Sequence, residues 1–346
     1  MKKVAVWWHK ITHYEYWHFN FFYFPVFFYF LYLAIKHRSF FFFTAANPGI
    51  EFGGMLGEKK WDIYQKLPQG SFPKTALCSP GISSKEALQL LYDHQISFPF
   101  IAKPNIGERG QGVEKIDTLP ALHRYLAKAK ADFLVQEFMD FEVELGVFYV
   151  RMPNDSSGTV TSVTLKEFLT VTGNGKDTVH ALLQKDPRAA LTFDFNHPDF
   201  QEIKGYIPDL SESLMVQPIG NHCRGTTFLD ITESTREKIE PIIDPVAKQF
   251  NGFYFGRFDI RCQSLSDFYE NKNWSILELN GAGAEPGHIY QPGFGIFNAY
   301  REITRHLKFL STIARINRRQ GEKYWSLKDG LAKMKEIRDY NRLNKS

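Results

Sequence analysis

Two stretches hold residues whose types and spacing suit chemistry. In GFYFGRFDIR, Arg257 and Asp259 stand two residues apart, and in WSILELNGAGAEPGH so do Glu278 and Asn280, with a polar connection from Ser264 to Lys272 between the stretches. At the period of two of a β-strand each pair shares one face, so a hairpin gathers four polar groups on the side opposite Phe258, Leu277 and Leu279. Two carboxylates and an amide oxygen make a hard-oxygen set that suits Mg²⁺ bridging phosphates. The competing reading is an Arg257 salt bridge on a solvated face, and the Asn280-Gly281 turn with Gly283 just after Glu278 weighs against it.

A third stretch, FPFIAKPNIGERGQGVEKI, reads as a strand, a loop with Gly107, Gly110 and Gly112, and a second short strand. Glycines let backbone N–H groups turn inward onto a phosphate, and Lys103 at the entrance meets such a phosphate as a point charge. A dinucleotide fingerprint fails on context, because a strand follows where that motif needs a helix. The plainer alternative is a glycine-rich hairpin without a ligand. In VQEFMDFEVELGVFYV, Glu137 ends one strand, while Glu142 and Glu144 share a face of the next. These carboxylates suit an adenine amine and ribose hydroxyls, or are simply exposed strand residues.

Alternating apolar strands and amphipathic helices from Lys60 onward must position these groups. The pattern predicts helices over 84–94, 119–131, 178–184 and 234–250, and strands over 98–103, 112–116, 133–138, 142–151, 253–262 and 274–280. A hairpin is expected around 159–172, and a less regular stretch from the 178–184 helix to Gly225. The chain of 346 residues, with 42 Lys+Arg and 38 Asp+Glu, is long enough for several packed layers and excludes a miniprotein or a strongly basic nucleic-acid binder. Cys78, Cys223 and Cys262 form no CxxC pair, so a reducing compartment is the default.

The near-neutral total hides unlike parts. Residues 1–43 carry five Lys/Arg and one acid, and residues 301–346 carry thirteen Lys/Arg and five acids, which leaves the middle acidic. Residues 16–35 hold no formal charge, and seven of the 32 Phe lie between Phe19 and Phe30, with Phe40 to Phe43 close behind. The length suits a bilayer, but His18, Asn20 and a helix-breaking Pro25 make an imperfect span, and five Tyr/Trp between residues 16 and 32 favour the headgroup zone. Three readings stand: an interfacial or re-entrant membrane segment, a true span, and a buried core helix pair. The C-terminal part, with Ile303, Leu307, Leu310 and Ile313 at helical spacing, is a solvated basic face or one that lies on anionic lipid.

In this order and spacing the motifs resemble the ATP-grasp superfamily of carboxylate-amine ligases, above all the D-alanine:D-alanine ligase branch, over roughly 60–287. The resemblance implies an α+β ATP-grasp fold, two α/β subdomains sandwiching ATP, here with an atypical aromatic N-terminal segment and a helical basic C-terminus. It implies phosphate contacts from Lys60 (or Lys59) and Lys103 with the Gly107, Gly110 and Gly112 loop, an adenine contact at Glu137, a ribose contact at Glu144, and a further nucleotide contact at Lys166. It assigns Asp259, Glu278 and Asn280 to Mg²⁺, as one ion or two with Mn²⁺ as a substitute, and Arg257 to the reacting acyl centre. The segment VTGNGKDTVHALL is similar to a loop and helix of cyanophycin-synthetase-like ligases.

Two departures fall on the substrate side. Fewer than 60 residues precede Lys60, too few for the relatives' N-terminal domain, and GAGAEPGHIY stands where D-alanine ligases have a Ser-Pro-Gly turn. Asn47, Gly53, Gly54, Glu285 and His288 are therefore expected to shape a different substrate pocket. The expected organisation is an aromatic membrane-interfacial segment (1–43), a short connecting region (44–83), the ATP-grasp domain (84–300) and a helical basic tail (301–346). The expected activity is amide formation from small-molecule or lipid-linked acids and amines through an acylphosphate, on the cytoplasmic side of a membrane or in the cytoplasm, with no nucleic-acid partner. The alternatives are a non-catalytic nucleotide-binding protein that recruits a partner to a membrane, and acylation of a lipid, sugar or peptide amine.

Overall fold

The structure, a computed structural model, describes residues 12–107, 110–196, 198–217, 220 and 225–343. Cys223, and the basic residues before Thr12, lie outside them. The fold is α+β. One lobe is a four-stranded antiparallel sheet in the order β1-β4-β2-β3, from β1 (Thr75–Cys78), β2 (Phe100–Pro104), β3 (Glu114–Ile116) and β4 (Phe133–Glu137). Two capped helices cover it, Ser84–Asp93 and Leu119–Lys128. Ser83 and Glu86 form a reciprocal capping box on the first, and Thr118 caps the second. Leu91, Leu122 and Tyr125 from these helices close over Phe100, Ala102, Phe133 and Val135 of the sheet.

The second lobe is a five-stranded antiparallel sheet, β11-β10-β5-β6-β9, built from β5 (Val143–Val150), β6 (Thr159–Glu167), β9 (Thr227–Asp230), β10 (Phe255–Cys262) and β11 (Trp274–Asn280). Alternation divides its residues between two faces. Leu145, Val147, Phe258, Ile260 and Leu279 enter a core with Ile239, Ile243 and Ala247 of the helix Thr232–Gln249. The opposite face is itself divided. At one end Phe148, Val150 and Phe255 are apolar; at the other Glu144, Arg257, Asp259, Glu278 and Asn280 form a polar floor.

Chain segments from both termini cover the apolar end. Phe41, Phe42, Phe43 and Phe52 pack there with Leu310, Ile313 and Ala314 of the helix Ile296–Arg319. Three residues of the four-Phe run are therefore core, while Phe40 is exposed. The C-terminal helix begins at Ile296, ahead of Arg301, and its apolar stripe is buried. A final helix, Leu327–Leu343, brings Gly330 so close to the Phe41 ring that any side chain there would collide with it.

The aromatic segment before the run forms one helix, Phe19–His37, with Phe22, Val26, Leu33 and Ala34 buried. Pro25 does not break it, contrary to expectation: the ring stands on the exposed side, and the packed stripe outweighs the lost N–H bond. The helix lies beside Ile296–Arg319. Phe22 stacks on Tyr300 at 5.3 Å, and His37 Nε2 meets Ser311 Oγ at 2.7 Å.

Two further expectations change. The region 159–172 is no hairpin: β6 pairs with β5 and β9, while β7 (Leu169–Thr172) pairs with β8 (Ser213–Gln217) in a separate two-stranded sheet. The stretch expected to be irregular contains two short helices, Pro187–Thr192 and Pro198–Ile203, and β8. Sequence separation hid the β7–β8 pairing.

Candidate active site

A cleft of about 1650 Å³ lies between the two sheets, walled by the first lobe, the β10–β11 hairpin and residues Tyr14 to Tyr23. Its floor is the polar half of the five-stranded sheet. Arg257 faces Asn280 across the ladder, and Asp259 faces both Glu278 and Gly146. Gly146 leaves the space over β5 open: a Cβ there would stand 3.4 Å from Arg257 Cδ and 3.6 Å from Asp259 Oδ1.

The Arg257 guanidinium grips Asp259 in a forked pair, Nε–Oδ1 and Nη2–Oδ2 both 3.0 Å, and Nη1 donates to the Glu285 carbonyl at 3.2 Å. Lys166 Nζ bridges Asp259 Oδ1 (3.2 Å) and Glu144 Oε1 (2.9 Å), while Arg261 Nε holds Glu144 Oε2 (3.2 Å). Asn280 Nδ2 donates to Asp259 Oδ2 at 3.4 Å. Burial pushes the Asp259 carboxyl up, but Arg257 and Lys166 outweigh it and hold the group below the usual range. Glu278 follows the same pattern: burial raises it, and Lys60, 3.0 Å away, more than compensates.

Lys60 Nζ also donates to the Gly107 carbonyl (2.7 Å), tying the root of the glycine loop to the hairpin. Among the described residues no carboxylate lies within ion-pairing distance of Lys103. Its Nζ donates to Gln136 Oε1 (2.7 Å), Tyr64 Oη (2.9 Å) and the Leu277 carbonyl (3.2 Å). Burial lowers its pKa to about 7, a tendency that nearby Glu278 opposes and Lys60 reinforces. A buried amine so poised gains charge as an anion arrives. Gly110 and Gly112, both at positive φ, line the cleft beyond Lys103.

Glu137 and Glu142 line the cleft edge, and Glu137 Oε2 accepts from the Lys74 N–H at 3.3 Å. Glu144 has both oxygens in ion pairs yet keeps lone pairs for a ribose hydroxyl. Among the described residues no group of three His, Cys, Asp or Glu is placed to hold a metal. Asp259, Glu278 and Asn280 nevertheless suit a hard cation that takes one or two carboxylates and completes its shell with phosphate oxygens and water.

The substrate-side residues divide. Glu285 lines the cleft, its Oε2 accepting from Tyr290 Oη at 2.8 Å. Asn47, Gly53, Gly54 and His288 stand outside the cleft lining. Asn47 is fully buried and saturated by four backbone bonds, and Gly53 and Gly54 hold the turn after β11 through Ala282 N–H and Gly283 N–H. A Cβ on Gly54 would lie 2.7 Å from Gly281 Cα. His288 is buried against Ser162, 2.7 Å away. These four therefore support the site from behind.

Sequence reasoning missed Arg261, Gln136, Tyr64 and the wall from Tyr14 to Tyr23. Arg261 was findable, since it continues the Arg257, Asp259 alternation. The wall was not, because nothing local ties residues near the N-terminus to β11.

No family model matches the chain, and no curated protein does. Among solved structures, a bifunctional glutathione synthetase from Pasteurella multocida is similar at 14% identity over 67% of this chain and 34% of that one, with a TM-score of 0.36. The VanG D-Ala:D-Ser ligase from Enterococcus faecalis is similar at 14% identity over 70% and 57% of the two chains, with a TM-score of 0.40. The D-alanine-D-alanine ligase from Coxiella burnetii is similar at 14% identity over 83% and 62%, with a TM-score of 0.41. The chain spans less than two thirds of the length of each of these three.

Proposed function

We propose that this protein is an ATP-dependent carboxylate-amine ligase of the ATP-grasp type that forms an amide through an acylphosphate. It works on the cytoplasmic side of a membrane, on small-molecule or lipid-linked acids and amines. The observation that carries the chemistry is the facing of Arg257–Asp259 and Asn280–Glu278 on a cleft floor walled by Lys60, Lys103 and Lys166.

The substrate carboxylate attacks the γ-phosphorus of ATP and ADP leaves; the amine then attacks the acyl carbon and phosphate leaves. Both steps gather negative charge in one place, and preorganised cations offset it. Lys103 and Lys60 meet the phosphates, with the Gly107–Gly112 loop over them. Glu137 receives the adenine amine, Glu144 the ribose, and Lys166 a phosphate or the bridging region. Mg²⁺, held by Asp259, Glu278 and Asn280, would supply charge neutralisation and orientation of the phosphates. Arg257 faces the oxyanion that develops at the acyl carbon. Glu285, directly beside it, takes the proton that the amine must lose.

The test is product mass spectrometry with purified protein, ATP, Mg²⁺ and a cell metabolite extract. ADP and phosphate accumulate only when an acid and an amine are both present, and Asp259→Asn or Glu278→Gln lowers turnover by about a hundredfold or more with an unchanged circular dichroism spectrum. Full activity in either variant removes the site assignment.

A further inference from the structure

Among the described residues, the outer face of the Phe19–His37 helix is left uncovered. Phe21, Phe24, Phe28 and Ile35 recur at helical spacing and are 66%, 62%, 57% and 77% exposed, while the opposite stripe is packed. A contiguous aromatic patch of this kind marks an interaction surface.

The neighbouring helix says what covers it. Ile296–Arg319 runs in the same direction, since Phe22 meets Tyr300 and His37 meets Ser311. Next to that seam, on its solvent side, Arg301, Arg305, Lys308 and Arg315 are exposed and fall on one face at spacings of four, three and seven. Arg305 pairs with Glu302. Among the described residues no carboxylate pairs with the other three. From Phe21 to Ile35 and from Arg301 to Arg315 each stripe runs about 21 Å at the helical rise. Two exposed stripes of equal length, one aromatic and one basic, thus run along neighbouring parallel helices.

We infer that this two-helix surface is a platform that seats the protein on an anionic bilayer, with Phe19–His37 lying in the interface plane rather than crossing the membrane. Aromatic rings enter the headgroup zone while the basic stripe meets lipid phosphates. A crossing would require stripping Phe22, Val26, Leu33 and Ala34 from their packing. The helix starts at the cleft wall formed by Tyr14 to Tyr23, so the platform adjoins the cleft. This deepens the membrane part of the proposed function and is independent of the ligase chemistry, because vesicle binding requires neither ATP nor turnover.

The experiment is co-sedimentation of the full chain with vesicles of phosphatidylcholine alone or with one quarter phosphatidylglycerol, at low and high salt. The protein binds the anionic vesicles about tenfold or more tightly than the neutral ones, and salt narrows the difference. Phe21→Ser with Phe24→Ser and Phe28→Ser abolishes binding to both vesicle types. Arg301→Glu with Lys308→Glu and Arg315→Glu removes the anionic preference alone, and both variants keep the wild-type melting temperature because every altered side chain is exposed. Absence of vesicle binding by the wild type, equal binding to both vesicle types, or binding that survives both sets of substitutions overturns the inference. So does a wild-type dimer in light scattering that the Phe substitutions convert to monomer, since the face then joins two copies of the chain.

Discussion

At the scale of single residues, the cleft keeps opposite charges in contact. Asp259 and Glu278 are ionised because Arg257, Lys166 and Lys60 stand beside them. Glu285 differs: it lines the same cleft, bonds Tyr290, and forms no ion pair with a cation among the described residues. That freedom suits a proton acceptor for an incoming ammonium and leads to a separable prediction. Glu285→Gln lowers amide formation from an alkylamine by about a hundredfold, the usual worth of a positioned general base. Hydroxylamine, already neutral at pH 7.5, bypasses the need, so the variant still yields hydroxamate from the acid at the wild-type rate. Equal losses with both nucleophiles would show that Glu285 acts on the acid or the nucleotide instead.

At the scale of elements, the floor is aimed from behind by segments that contribute nothing to it directly. Asn47 ties the loop before Gly53 to the start of β10, accepting from Tyr254 N (2.9 Å) and Phe255 N (3.0 Å) and donating to the carbonyls of Phe255 (2.8 Å) and Gly53 (3.1 Å). Asn47→Ala strands buried backbone groups two residues from Arg257, so urea unfolding should show a loss of about 3 kcal/mol. A loss below about 1 kcal/mol would mean that the groups find other partners. This role was not legible in the sequence, where Asn47 stands 207 positions from Tyr254. By contrast, Arg257, Asp259, Glu278 and Asn280 were legible because the period of two is local, and the hairpin closes over a short connection. Glu285, Asn47 and His288 were all expected in the pocket because they lie in the segments that depart from the ligase pattern, yet only Glu285 lines the cleft. Burial, which a sequence does not carry, separates the two kinds.

At the scale of the whole molecule, one sheet face serves two tasks, and a helix that starts at Ile296 divides them. His306 of that helix sits over the five-stranded sheet, its Nε2 accepting from Thr161 Oγ1 (3.0 Å), its Nδ1 donating to the Glu302 carbonyl (2.8 Å), and its ring edge-on to Phe148 at 4.7 Å. Burial lowers its pKa to about 4, with the Glu302 carbonyl only partly opposing. In the unfolded chain the ring titrates near 6.5, so between about pH 6.5 and 4 the unfolded state binds a proton that the folded state refuses. The folded state is therefore favoured fully above pH 6.5 and loses ground as the pH falls toward 4. From pH 7.5 to 5.0 this single group removes about 2 kcal/mol. Other groups titrate over the same range, so the measurable quantity is the difference between wild type and His306→Gln in urea unfolding. That difference should shift by about 2 kcal/mol toward the variant as the pH drops to 5.0. A pH-independent difference would mean that the ring is reached by solvent, and that the helix does not seal the aromatic end of the sheet from the polar cleft.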